Sequence, residues 1–157
     1  MTENDKEFLA IINGVIDSDE FRKMKSYRQH RNGNTYEHSL KVARKCFDFC
    51  KTYKIKIDLK KLVRGALLHD FFLYNRHHKE RKDYKCVGGL RHLFTHPKIA
   101  LKNAKKRYPT LSYVEEDIIK RHMFPLTVIP PRTKAGWIVC YFDKVVAISD
   151  YLNLGQV

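Results

Sequence analysis

Six histidine and aspartate residues of this sequence are candidate ligands for divalent metal ions: His38, His69, Asp70, His96, His122 and Asp143. His69 and Asp70 are adjacent and follow an apolar stretch over 62–68. A buried imidazole beside a buried carboxylate is costly unless something pairs with both groups, and a divalent ion would pair with His38, His69, Asp70 and Asp143 at once. His96 and His122 supply enough further ligands for a second ion. Two ions held in this way favour the hydrolysis of phosphate esters.

The spacing predicts that four of these residues lie on the inward faces of different helices. Apolar residues share the helix face of each candidate: Val42 and Cys46 with His38, Leu62 and Ala66 with His69, Val114 and Ile118 with His122, Val139 and Val146 with Asp143. Facing helices of a bundle are a common place to assemble a metal site. Asp150 lies on the same face as Asp143 and is the alternative ligand on that helix.

The candidates divide into two ligand sets. We expect His38, His69, Asp70 and Asp143 to hold one ion, and His96, His122 and the second oxygen of Asp70 to hold another. Imidazole and carboxylate together suit Mn, Fe, Co, Ni or Zn, and suit Mg less well. His69 and Asp70 are the predicted catalytic residues, because a carboxylate that bridges two ions places the reacting water between them.

The elements that must position these residues are predicted to be helices throughout. Apolar periodicity and capping residues indicate helices over about 4–17, 18–28, 36–53, 59–73, 97–107, 113–122 and 134–152. Thr35 and Asp58 are candidate N-caps, Ser112 with Glu115 forms a capping box, and Pro97 is expected at a first helical position. The predicted fold class is therefore all-α, a compact multi-helix bundle, with loops over 29–34 and 75–91.

Composition favours one domain over 1–157, with its motif-bearing core over about 30–152 and N-terminal helices over 4–28. The N-terminus over 1–7 is polar and acidic, and no apolar run approaches the ~18–20 residues of a membrane span, so we expect a cytoplasmic protein without membrane association. The spacing of Cys46, Cys50, Cys86 and Cys140 matches no zinc or redox motif, which favours reduced core residues.

The chain has 31 Lys and Arg against 17 Asp and Glu, a formal net charge of +14. Such an excess favours an anionic partner, which here predicts a phosphorylated small molecule or a nucleotide. Arg31, Arg132 and Lys134 are the candidate phosphate contacts, because they flank predicted ligand-bearing helices. The basic segment within the loop over 75–91 is a candidate lid.

The ordered pattern His38, His69-Asp70, Asp143 resembles the H…HD…D signature of the HD-domain superfamily of metal-dependent phosphohydrolases. The surrounding residues over 35–43, 65–70 and 143–144 are also similar, and the resemblance covers about 30–150. The resemblance implies an all-helical domain with a mono- or dinuclear metal site. It also implies hydrolysis of phosphomonoesters, phosphodiesters or nucleotides through a metal-activated water. On the last helix, the resemblance favours Asp143 over Asp150 as the ligand. His96 and His122 look like the extra histidines of the dinuclear subgroup, which includes the HD-GYP cyclic-dinucleotide phosphodiesterases. No Gly-Tyr-Pro follows any histidine here, and the downstream motif is Arg121-His122-Met123-Phe124-Pro125.

Three alternatives from other classes remain open at this stage. The same ligand set would serve a regulatory module that binds a metal or nucleotide without turnover. The net charge is compatible with a nucleic-acid-binding domain, although no helix has a clean basic reading face. A di-iron oxygenase would use a similar set of ligands. The sequence gives no prediction of the oligomeric state.

Overall fold

The fold was described from a computed structural model, which describes residues 1–29, 33–74 and 90–152, without the side chains of 28, 29 and 90–92. The described residues form seven α-helices: α1 (Glu3–Ile16), α2 (Asp19–Lys23), α3 (Thr35–Thr52), α4 (Leu59–Leu68), α5 (Leu90–Arg107), α6 (Tyr113–Arg121) and α7 (Lys134–Tyr151). A 3-10 turn over Met24–Ser26 follows α2. The all-α prediction is confirmed.

Local capping explains where several helices begin. The Asp58 side chain accepts a hydrogen bond from the backbone N–H of Lys61 at 3.1 Å and starts α4 as predicted. Ser112 and Glu115 form the predicted capping box of α6. The predicted N-cap of α3 is wrong by one residue, because Asn34, and not Thr35, accepts the hydrogen bond from Glu37 N at 2.9 Å.

Three predicted boundaries need correction. Helix α5 begins at Leu90, so Pro97 lies inside it and not at its first position. Proline there removes only one backbone hydrogen bond, and the packing of α5 against α6 stabilises the rest of the helix. Helix α4 ends at Leu68, well before residue 73, and Leu73 has a positive φ of 53° that no helix accommodates. The predicted helix over 18–28 is only α2 and the 3-10 turn.

A short hairpin occupies part of the predicted loop over 29–34. Its strands β1 (Arg28–Gln29) and β2 (Gly33–Asn34) pair antiparallel, with Arg28 opposite Asn34 and Gln29 opposite Gly33. The second strand leads directly into α3, so the hairpin fixes the direction in which that helix enters the bundle.

The core lies between α3, α4, α6 and α7, with α1 and α5 packed against its sides. Cys46, Cys50 and Cys140 are buried free thiols, as predicted, and Cys86 lies outside the described residues. Among the described helices, none combines the length and the apolar character that crossing a membrane requires.

Candidate metal centre

The six predicted ligands come together in one buried cluster. His38 lies in the first turn of α3, His69 and Asp70 follow the last residue of α4, and His122 caps the end of α6. His96 and Asp143 lie within α5 and α7. All six side chains are buried, although five elements of the fold supply them.

The first half of the cluster surrounds Asp143. Its Oδ1 lies 3.0 Å from Nε2 of His38 and 3.4 Å from Nε2 of His69. The other neighbour of His69 Nε2 is Oδ2 of Asp70, at 3.6 Å. His38, His69 and Asp70 form one group of ligand atoms that lie within 4.8 Å of one another and can hold an ion.

The second half of the cluster surrounds the other oxygen of Asp70. Its Oδ1 lies 3.2 Å from Nε2 of His96 and 3.5 Å from Nε2 of His122. The two Nε2 atoms are themselves 2.9 Å apart. Asp70, His96 and His122 form a further group within the same 4.8 Å limit. The two oxygens of Asp70 therefore face different sets of imidazoles.

Backbone carbonyls determine which ring nitrogen of two histidines faces the cluster. Nδ1–H of His69 donates to the carbonyl oxygen of Ala66 at 2.7 Å, and Nδ1–H of His122 donates to that of Ile119 at 2.9 Å. Both carbonyls lie three residues before the histidine, at the end of a helix where backbone acceptors lack helical partners. In the neutral rings, Nε2 is left as a lone pair that points into the cluster.

The arrangement fits divalent metal ions. Two ligand atoms bound to one ion at about 2.1 Å lie about 3.0 Å apart in octahedral geometry and about 3.4 Å apart in tetrahedral geometry. The distances between facing donor atoms here run from 2.9 to 3.6 Å. Nε2 of His69 is buried and makes no hydrogen bond, and the lone pair of His122 faces another imidazole nitrogen. A cation would satisfy both nitrogens.

The electrostatics of the cluster keep its carboxylates ionised. Burial by itself would raise the pKa of Asp70 and of Asp143, but the neighbouring histidines outweigh burial and hold both pKa values well below 3.8. Burial lowers the pKa of His122, which favours the neutral ring that a metal requires. For His38, Asp143 and Asp150 outweigh burial and raise the pKa to about 9.

Asp150 lies behind His38, on the side of the ring away from Asp143. The sequence identifies Asp150 only as an alternative metal ligand and does not predict this position. Its Oδ2 is 3.8 Å from Nδ1 of His38, and its Oδ1 accepts a hydrogen bond from Nζ of Lys41 at 2.7 Å. Asp143 and Asp150 are two turns apart on α7, so one faces each ring nitrogen of His38. The spacing of seven residues between Asp143 and Asp150 was the sequence signal that both face the same part of the bundle. Carboxylates in this position orient a metal-binding imidazole and raise its basicity.

Asp117 also escaped sequence reasoning, although it fixes the start of α7. Its carboxylate accepts hydrogen bonds from the backbone N–H groups of Arg132 and Thr133, from the Thr133 hydroxyl at 2.8 Å, and from Arg121. A Cβ on Gly136 would lie 2.6 Å from the same carboxylate, so only glycine fits there. The sequence signal for a buried role of Asp117 was its position next to Ile118, which lies on the inward face of α6.

The structure does not bring two of the predicted phosphate contacts, Arg132 and Lys134, into the cluster. Arg132 and Lys134 are exposed, and Lys134 lies nine residues before Asp143, about 13 Å along the helix axis. Arg31 and residues 75–89 of the candidate lid lie outside the described residues. A substrate-binding role for these three basic residues stays a prediction.

One of three comparisons with known proteins finds a match, and this match agrees with the geometry. No curated protein and no solved structure matches the chain. The family model of the HD domain matches residues 35–148, which include all six clustered ligands, the whole of α3, α4 and α6, and most of α7. The chain therefore belongs to the HD domain family.

Proposed function

We propose that this protein is a metal-dependent phosphohydrolase that acts on a phosphate ester or nucleotide. HD domains are mostly metal-dependent hydrolases. The observation that carries the narrower proposal is the division of Asp70, whose Oδ2 faces His69 and whose Oδ1 faces His96 and His122. A carboxylate placed in this way suits a bridge between two ions, and paired ions suit phosphoryl transfer to water.

The two ligand sets would divide the cluster between them. His38, His69, Asp70 and Asp143 would hold one ion, and Asp70, His96 and His122 would hold the other. When bound, such ions acidify water to a pKa near neutral and neutralise charge on the phosphoryl oxygens. Mn, Fe, Co, Ni and Zn suit this mixture of imidazole and carboxylate.

The surrounding residues prepare the cluster for this chemistry. The carbonyls of Ala66 and Ile119 hold His69 and His122 with Nε2 directed inward, so no reorientation is needed for binding. Asp70 and Asp143 are ionised near neutral pH because their pKa values are lowered. The net charge of +14 attracts anionic substrates, and Arg31, Arg132 and Lys134 are the residues proposed to contact their phosphates.

The proposal is tested by assaying hydrolysis of nucleotides, phosphomonoesters and bis(p-nitrophenyl) phosphate with Mn, Fe, Co, Ni and Zn. We expect turnover that chelation abolishes, and loss of both bound metal and turnover in Asp70→Ala. Asp48→Ala, which removes a half-exposed carboxylate paired with Arg44, is the control and should keep both. An Asp70→Ala variant without metal that hydrolyses the substrates as the parent does would overturn the proposal. Tight nucleotide binding without turnover would favour the regulatory module.

The number of ions is tested by elemental analysis of the purified protein. We expect two metals per chain in the parent and one in His122→Ala, because that variant keeps all four proposed ligands of the first ion. One metal in the parent, unchanged in His122→Ala, would remove His96 and His122 from the ligand sets.

A further inference from the structure

Helix α7 is apolar on two opposite sides. Its inward side carries Val139, Asp143 and Val146, which are buried. Its outward side and the residue that caps its end carry five large apolar residues that are about half or more exposed: Trp137 (48%), Tyr141 (63%), Ile148 (59%), Tyr151 (64%) and the cap Leu152 (54%). A helix on the surface of a protein ordinarily has polar residues opposite its core face, so this outward side, the α7 stripe, needs an explanation.

The spacing of the α7 stripe is that of a helix that packs along another helix. Trp137, Tyr141, Ile148 and Tyr151 follow one another at intervals of four, seven and three residues. With Lys144 between them, the intervals become four, three, four and three, the repeat of helix pairs that pack side by side. Lys144 does not present its charge at this face, because its Nζ donates to the carbonyl oxygens of His122 and Cys140 at 2.7 and 3.1 Å.

We propose that the α7 stripe is the interface of a homodimer, in which α7 of one copy packs antiparallel on α7 of a second. A two-fold interface requires a surface that complements itself. The α7 stripe meets this requirement at four of its five large residues, because Trp137 with Leu152 and Tyr141 with Ile148 lie at equal distances on either side of positions 144 and 145. In the antiparallel arrangement Tyr141 faces Ile148 of the second copy, and the two helix dipoles oppose each other favourably.

Charge favours an apolar face over a basic one as the place where a second copy binds. Each chain carries a formal net charge of +14, so two copies repel each other over most of their surface. Within the α7 stripe, Lys144 is engaged with backbone carbonyls, so an acidic partner would find only the exposed Lys134, at the first turn of the helix, to pair with. Association through the α7 stripe should therefore strengthen with salt, which screens the repulsion between the copies.

The exposed area is sufficient for a weak dimer. A fully covered aromatic side chain buries about 150–250 Å². At the exposures above, the α7 stripe offers on the order of 500 Å² in each copy, or about 1,000 Å² in the pair, which is the lower limit of a specific interface. Trp137 is already held by an edge-to-face contact with Phe124, whose ring centroid lies 5.3 Å away, so less side-chain freedom is lost on association.

Sedimentation velocity of the full chain between about 1 and about 100 µM, at low and high salt, tests the proposal. We expect dimer that increases with concentration and with salt. Tyr141→Lys places one unpaired lysine in each half of the interface and should weaken the dimer about 100-fold, or about tenfold for each copy. Tyr113→Lys is the control, because Tyr113 on α6 is 58% exposed and lies outside the α7 stripe.

A charge-pairing variant tests the antiparallel arrangement. Tyr141→Lys and Ile148→Glu in the same chain place a lysine of one copy opposite a glutamate of the other, twice in the dimer. We expect this double variant to recover most of the association that either single variant loses. A parent that stays monomeric at every concentration and salt, or a Tyr113→Lys variant weakened as much as Tyr141→Lys, would overturn the proposal. Failure of the double variant to recover would overturn the antiparallel pairing.

Discussion

The contact between Gly65 on α4 and Ile118 on α6 leads to a specific prediction about how the metal centre is held. A Cβ on Gly65 would lie 2.5 Å from Cδ1 of Ile118 and 3.3 Å from its Cβ and Cγ2. His69 and His122 directly follow the last residues of these two helices, and their ring centroids are 4.9 Å apart. The absence of a side chain at position 65 therefore sets how closely two ligand-bearing helix ends approach.

Gly65→Ala brings two opposing effects of known size. Alanine is favoured over glycine inside a helix by about 1 kcal/mol. Inserting a methyl group into a well-packed core costs about 1–3 kcal/mol, and this cost lies towards the upper end because Ile118 is fully buried and has three atoms close to the new methyl group. The net loss in the free energy of unfolding is about 1–2 kcal/mol, which lowers Tm by about 4 °C.

Urea and thermal unfolding of the metal-free protein measure this effect, and two further variants separate its causes. Gly14→Ala on α1 is the control, because a Cβ there has nothing within 4 Å, and it should stabilise the protein by about 0.5–1 kcal/mol. Ile118→Val removes the atom 2.5 Å away and should cost about 1 kcal/mol alone but little when combined with Gly65→Ala. A Gly65→Ala variant as stable as the parent, or strictly additive effects in the double variant, would refute the reasoning. Metal affinity should fall with stability in Gly65→Ala and be unchanged in Gly14→Ala.

Three other predictions concern groups around the cluster. Asp150→Asn should weaken metal binding about 10–100-fold, because it removes the carboxylate behind His38. A titration of the protein against a chromophoric chelator measures the affinity. Glu7→Gln is the control and should leave the affinity unchanged. Asp117→Ala should cost about 3 kcal/mol in urea unfolding, because it leaves the buried Arg121 guanidinium and the part-buried backbone N–H groups of Arg132 and Thr133 without their acceptor. A loss below about 1 kcal/mol would contradict that role. Burial alone would raise the pKa of Glu115, but Arg64 and Ser112 outweigh it and lower the pKa below 4.5. The stability that comes from this lowered pKa is therefore present above pH 4.5 and is lost as the pH falls below it. In thermal unfolding at acid pH, the parent should lose stability more steeply than Glu115→Gln, which has no carboxylate to protonate.

The helices show which features of the fold follow from local sequence. Asp58 and the Ser112–Glu115 box were predicted correctly, because a cap is an interaction between residues three positions apart. The start of α5 was predicted wrongly, because the preference of proline for a first turn is also local. Packing of α5 against α6, where Ala100 and Ala104 are buried, outweighs the one hydrogen bond that Pro97 removes.

The candidate site shows the same division. The sequence by itself determined the six residues that meet, from the side-chain types of all six and from the helical spacing of His38, His69, His122 and Asp143, because buried polar groups of these types need a shared partner. The sequence also predicted that Asp70 is shared between two ligand sets. Only the tertiary structure decided the distances within each set and the position of Asp150 behind His38. These facts depend on how α4, α6 and α7 approach one another, and that approach is set by contacts such as Gly65 with Ile118 between residues distant in the chain. Helical periodicity predicts which face of a helix is buried, but it carries no information about which other helix covers that face or how closely.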